Sequence, residues 1–92
     1  MTPEQYSLIV RLGSKAEELL EDASFKDILV DLKQQAIRTW TETGLLDVTF
    51  REHCWHDLQA VLRLENHLKV LKQTKAAEQL KAEQAVRSAQ RR

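Results

Sequence analysis

The chain has little of what catalytic and secreted proteins usually contain. Its 92 residues include one cysteine, one proline and two glycines. A single cysteine cannot form an internal disulfide, so nothing in the sequence favours an oxidising compartment. The sequence has no glycine motif of the kind that cradles phosphates, which disfavours nucleotide chemistry. It opens with no basic stretch followed by an apolar run, and no apolar run approaches the roughly 18 residues of a membrane span, so we expect neither a secreted precursor nor a membrane protein.

The abundant residues are instead those that favour long helices. Ala, Leu, Glu, Gln, Lys and Arg dominate the sequence, and residues that favour strands are sparse. Apolar residues make up 42% of the chain and charged residues 30%. A chain of this length can bury one modest core. We therefore predict a small all-α fold.

The first helix has a clear start and an ambiguous middle. Thr2 can cap a helix, Pro3 suits the first helical position, and Gln5 can bond back to the cap. The pair Gly13-Ser14 is compatible with a break and a new cap. One kinked helix and two short helices both fit this segment.

Two further helices follow. Ser24 is the predicted cap of the second, and Gly44 is predicted to end it in a left-handed conformation. Thr49 and Glu52 form a predicted capping box for the third helix, which then continues to the end without Gly or Pro. A broad apolar stripe of this helix is expected to face the core: Phe50, Cys54, Leu58, Val61, Leu62, Leu64, Leu68 and Leu71.

Helix lengths then suggest an architecture. A helix from residue 50 to about 90 would be roughly 60 Å long, whereas the second helix would span roughly 28 Å. We therefore expect an antiparallel three-helix head over residues 1–71, made of a helical hairpin and the N-terminal helix. A long C-terminal helix would project from it, ending in a basic, Ala-rich helical tail over residues 72–92.

Charge is distributed unevenly along the sequence although the net charge is zero. Residues 1–68 hold 7 Lys and Arg against 12 Asp and Glu, a net charge of −5, and residues 69–92 hold 7 against 2, a net charge of +5. Such an asymmetry favours either a basic tail that meets an acidic partner or head-to-tail contact between copies. A solvated helix end is the alternative explanation.

One cluster, from His53 to Asp57, has residue types that could support chemistry. On a helix His53, His56 and Asp57 share a face, while Cys54 points elsewhere. A closed zinc site needs four convergent ligands, and a cysteine nucleophile needs a base and an oxyanion stabiliser beside it. We therefore predict no catalytic residues, no metal site and no cofactor.

Surplus apolar residues on the first two helices point to a partner. A three-helix unit of this size cannot hide two faces of two helices, and exposed apolar patches usually mark interfaces. The predicted protein interface comprises Leu8, Leu12, Leu19, Val30 and Ile37. Trp40 and Trp55 are expected to pack in the core, although an exposed tryptophan would favour an interface.

The tail offers a second kind of contact. Its basic side chains are scattered around the helix without base-reading residues between them, so any nucleic-acid contact would be insensitive to sequence and sensitive to salt. The candidate phosphate contacts are Lys72, Lys75, Lys81, Arg87, Arg91 and Arg92.

Part of the sequence resembles a group of small helical proteins encoded among the head and tail structural genes of tailed bacteriophages and prophages. In that group a helix ending in Trp and Thr leads through a short loop carrying Asp to an Arg-Glu pair that opens a long final helix. The resemblance covers about residues 22–71 and rests on residues 36–43, Asp47, Arg51-Glu52, Trp55, Leu58, residues 60–62 and Leu68. It implies a virion component or an assembly factor that acts by contact.

The sequence thus favours a non-catalytic helical interaction protein that binds itself, a larger protein assembly, or both. It would act in the host cytoplasm or in a virion, without a membrane or a small-molecule substrate. A nucleic-acid-associated factor that uses the basic tail is the alternative, and a small inhibitor of a host enzyme is a further one.

Overall fold

A computed structural model describes residues 1–44 and 46–91. Over these residues the chain forms three helices and no strand: α1 spans Pro3–Glu21, α2 spans Ala23–Glu42, and α3 spans Val48–Gln90. The predicted all-α fold with a long C-terminal helix is confirmed. None of the described helices is long and apolar enough to cross a membrane.

The first helix begins as predicted. The backbone N–H of Gln5 donates to the hydroxyl oxygen of Thr2 at 3.1 Å, and the backbone N–H of Thr2 donates to the Gln5 side-chain oxygen at 2.9 Å. These two bonds satisfy backbone donors that the helix end leaves free. The helix then runs through Gly13 to Glu21, so this segment is one helix and not two.

Aspartates cap the two later helices in place of the predicted hydroxyl residues. Asp22 accepts a hydrogen bond from the backbone N–H three residues later at 2.7 Å, and Asp47 does the same at 3.1 Å. The predicted caps Ser24 and Thr49 both lie inside the first turn of their helices. Serine, threonine and aspartate all serve well as caps, so the sequence offers two candidates for each helix. The observed cap of each helix lies two residues before the predicted one.

The predicted left-handed stop at Gly44 is wrong. No described glycine has a positive φ. The second helix ends instead at Thr43, whose extended backbone turns the chain and whose N–H donates to the Trp40 carbonyl at 3.2 Å. Leu45, part of the apolar link that follows, lies outside the described residues.

One compact unit, here called the α2 unit, comprises Glu21–His67. In it α2 packs antiparallel to the first part of α3, with Leu29 and Cys54 buried between them. Lys33, midway along α2, forms an ion pair with Glu65, and Trp40 contacts Trp55 near the hairpin end.

The other unit, here called the α1 unit, comprises Met1–Leu20 and Leu68–Arg92. In it α1 packs antiparallel to the second part of α3, and Gly13, Ala16 and Leu68 are buried. Glu17 pairs with Lys75 at 3.3 Å.

This division differs from the predicted head over residues 1–71 and tail over residues 72–92. The first helix packs on the segment of α3 that was expected to project. The physical reason lies in small residues on α1, because Gly13 and Ala16 let its backbone approach α3 closely. Of that segment, the described stretch over residues 80–91 is exposed at every position.

Gly13 provides a test of this packing. An added Cβ there would overlap the Cβ of Lys75 and lie 2.9 Å from the carbonyl oxygen of Leu71. Neither atom can move without shifting a helix, so Gly13→Val should lower the free energy of unfolding by about 1–3 kcal/mol. Urea denaturation at one fixed protein concentration measures the change.

Gly44→Ala is the matched control. A Cβ at Gly44 would meet no atom within 4 Å. Its effect should stay within about 0.5 kcal/mol of wild type. Equal losses for the two variants would contradict a close approach at Gly13.

Candidate interaction surfaces

The described part of the chain has a very small core. Its buried apolar side chains are Ala16, Leu29, Cys54 and Leu68. The accessible surface is 7298 Å², whereas a folded monomer of this mass is expected to expose about 5,500 Å². The chain therefore exposes about a third more surface than a self-sufficient domain of its size.

Much of this surface is apolar. Large apolar side chains that are more than two-fifths exposed are Met1, Leu8, Leu12, Ile28, Val30, Leu32, Ile37, Leu46, Val48, Phe50, Trp55, Leu62, Leu64, Val70, Leu80 and Val86. Single exposed apolar residues are normal, but a series on each helix is not.

The residues predicted to form an interface lie largely at the surface. Leu8 and Leu12 are 43% and 42% exposed, and Val30 and Ile37 are 48% and 50% exposed. Leu19 is half-buried. Leu8 and Leu12 are one helical turn apart on α1, so their side chains are neighbours on one face. We call Leu8, Leu12 and Leu19 the α1 strip.

Between α2 and the first part of α3 lies an open depression of about 280 Å³, here called the α2–α3 groove. Its lining residues are Leu32, Gln35, Ala36, Thr39, Phe50, His53, Cys54, Asp57 and Val61. The apolar residues of this set include Leu32 and Phe50, both more than two-fifths exposed. The groove thus offers apolar walls to an incoming side chain.

The polar side chains on the α2 side of the groove are held by their own helix. The Thr39 hydroxyl donates to the Gln35 carbonyl at 2.8 Å, and the Gln35 amide donates to the Asp31 carboxylate at 2.9 Å. Because these donors are already satisfied, covering them removes less hydrogen bonding with water than covering free donors would. On the α3 side, His53 and Asp57 are exposed.

The apolar stripe predicted to face the core on α3 agrees only in part with the burial that the structure shows. It correctly placed Cys54 and Leu68 inside, but Phe50, Leu62 and Leu64 are exposed. The stripe is wider than the arc that one partner helix can cover. This excess width was the feature of the sequence that indicated that some of its residues stay exposed. A helix facing a single neighbour buries a narrower arc.

An aromatic cluster closes the hairpin end of the α2 unit. The rings of Trp40 and Trp55 meet edge to face, with centroids 6.2 Å apart and planes at 73°. The Arg51 guanidinium lies 5.2 Å from the Trp40 centroid and donates to the Thr43 carbonyl at 3.4 Å. Trp55 is 47% exposed, so this pair is only partly in the core.

The residues with metal-binding or nucleophilic chemistry differ in how far they are exposed. Cys54 is buried, whereas His53, His56 and Asp57 are exposed. Within residues 1–44 and 46–91 there is no group of three or more His, Cys, Asp or Glu side chains arranged to hold a metal ion.

The candidate phosphate contacts fall into two sets. Lys75 is half-buried in its pair with Glu17, and Lys81 pairs with Glu78 at 3.2 Å. The remaining described members, Lys72, Arg87 and Arg91, are exposed. Arg92 lies outside the described residues. The pairing of Lys75 depends on where α1 packs, so the sequence pattern alone could not indicate it.

Arg51 allows a test of the aromatic cluster. Replacing it with methionine keeps an apolar stem but removes the cation over Trp40 and the bond to the Thr43 carbonyl. We expect the free energy of unfolding to fall by about 1 kcal/mol. Arg63→Met, at an exposed position on the same helix, should have little effect, and a similar loss in both variants would contradict a role for the cluster.

No family model matches the chain, and no curated protein or solved structure shows significant similarity to it.

Proposed function

We propose that this chain is a non-catalytic interaction protein that associates with copies of itself and docks as a part on a larger protein assembly. The observation that carries the proposal is the series of exposed large apolar side chains on all three helices. Water contact with such surface is unfavourable by roughly 25 cal/mol per Å², and association removes it.

The amount of surplus surface supports an interface of ordinary size. The chain exposes about 1,800 Å² more than the roughly 5,500 Å² expected for a compact monomer. A stable protein interface buries about 800 Å² on each partner. The surplus is therefore sufficient for one such interface and leaves area for a second partner.

The sequence resemblance over residues 22–71 supports one kind of larger assembly. We propose a tailed-phage particle or one of its assembly intermediates, so that the chain would occur in the host cytoplasm or in the virion. Mass spectrometry of purified particles from cells that carry the gene tests this. Its peptides should co-purify with the particles, and their absence from both particles and assembly intermediates would contradict a phage role.

A nucleic-acid contact is the second candidate function. Arg87 and Arg91 line a shallow depression with Gln84 and Ser88, in a stretch of α3 that is exposed at every described position. These side chains could meet phosphates without reading sequence. Such binding should weaken steeply with salt.

Self-association is tested by light scattering over a concentration series. We expect the wild-type chain to form a defined oligomer that persists in high salt, because apolar contacts are not screened. Leu8→Gln with Leu12→Gln should weaken association by about tenfold or more, since each change leaves a polar amide in an apolar contact.

Leu80→Gln serves as the control, because Leu80 is exposed but lies outside the α1 strip and the α2–α3 groove. It should associate like the wild type. A wild-type chain that stays monomeric at all concentrations would contradict the proposal.

A further inference from the structure

Each compact unit contains one ion pair that joins its two helices. In the α2 unit, Lys33 on α2 pairs with Glu65 on α3. In the α1 unit, Glu17 on α1 pairs with Lys75 on α3. All four side chains are half-buried. The other ion pairs among the described residues each join neighbours on a single helix.

Each short helix brings one charged side chain to its contact with α3. Among the charged residues of the described helices α1 and α2, Glu17 and Lys33 are the ones that are not exposed. Their partners on α3, Glu65 and Lys75, are half-buried too. Two further half-buried charged residues of α3 have contacts elsewhere, in the aromatic cluster and within α3 itself: Arg51 and Glu78.

The two ion pairs have opposite polarity. In the α2 unit the short helix supplies the cation and α3 the carboxylate, whereas in the α1 unit the short helix supplies the carboxylate and α3 the cation. The two α3 residues lie on the stripe that carries the buried Leu68, with Glu65 one turn before it and Lys75 two turns after it. This stripe therefore offers a carboxylate to α2 and an ammonium group to α1.

We propose that this opposite polarity determines which segment of α3 each short helix packs on. If α1 packed in the same manner on the first part of α3, Glu17 would meet Glu65. Likewise, α2 on the second part of α3 would bring Lys33 to Lys75. Both arrangements leave half-buried charges facing like charges without a partner, which is costly. Repulsion in the wrong arrangement gives selectivity even where attraction in the right one adds little stability.

This selection supplements the small residues of α1. Gly13 lets α1 approach α3 closely, but a glycine has no side chain that could distinguish one segment from another. Selection matters for a chain with much exposed apolar surface, because helices of neighbouring copies could otherwise exchange partners. The inference does not rest on the proposed self-association, since both pairs lie within one chain.

Two full-length variants separate selection from simple attraction. The uniform variant carries Glu17→Lys and Lys75→Glu, so both pairs stay attractive, but both short helices present a lysine and both α3 segments a glutamate. The reversed variant adds Lys33→Glu and Glu65→Lys, which makes the polarity of the two pairs opposite again. Selection predicts that only the uniform variant pairs its helices wrongly. Attraction alone predicts that both variants behave like the wild type.

Nuclear magnetic resonance with isotopic labelling of glycine nitrogen reads out the pairing, because the chain has two glycines, Gly13 in the α1 unit and Gly44 in the α2 unit. The wild type and the reversed variant should give one amide signal for each glycine. The uniform variant should give at least one additional signal for Gly13, since α1 then has two alternative partners. The control, Glu21→Lys with Lys26→Glu, exchanges charges at exposed positions and should give the wild-type number of signals.

Three results would overturn the inference. A uniform variant with the wild-type number of signals would show that polarity does not select the segment. Additional signals in the reversed variant would show the same, because its two pairs again differ in polarity. Loss of helix in the uniform variant, measured by circular dichroism, would contradict an exchange of partners between intact helices. The proposed self-association is tested separately, by light scattering on the wild type.

Discussion

A helix that packs against a single neighbour can bury only one face, and this constraint governs both compact units. Each unit is a pair of antiparallel helices, and each helix carries apolar residues over a wider arc than its one partner covers. Very few side chains are fully removed from water as a result. Most large apolar residues remain partly exposed, and the hydrophobic effect that stabilises ordinary domains is only partly realised within one chain.

Within the α1 unit, the contact that does form depends on the absence of a side chain. Gly13 leaves a notch in which the aliphatic stem of Lys75 lies against α1. The ammonium group then reaches Glu17 one turn further along α1. Lysine here combines apolar packing with a half-buried ion pair. A residue that looked like part of a basic tail is thus a packing residue of the helix pair.

The sequence was sufficient for the elements but not for their pairing. Composition and periodicity predicted three helices, and the Thr2 and Gln5 pair predicted the first cap correctly. Asp22 and Asp47 were not predicted as the capping residues, because several good capping residues lie within two positions of each other. Such local competition shifts a boundary without changing the fold.

Pairing was harder to predict, because α3 is long enough to offer two successive surfaces and an amphipathic α1 could use either. The residues that determine where α1 packs are small. Gly13 and Ala16 allow α1 to approach α3 closely, but small residues contribute little to a hydropathy pattern. The exposed surface was partly predictable. Surplus apolar residues such as Leu8 and Val30 were recognised from periodicity, whereas Phe50 and Leu62 were assigned to a core that one partner helix cannot complete.

The central claim is that contacts between copies complete the burial that one chain leaves unfinished. Thermal unfolding followed by circular dichroism at protein concentrations about a hundredfold apart tests it most directly. Mass action requires the midpoint to rise with concentration if association stabilises the fold, and we predict a rise of several degrees. A midpoint independent of concentration, with a single reversible transition, would show that each chain is stable alone and would contradict the claim.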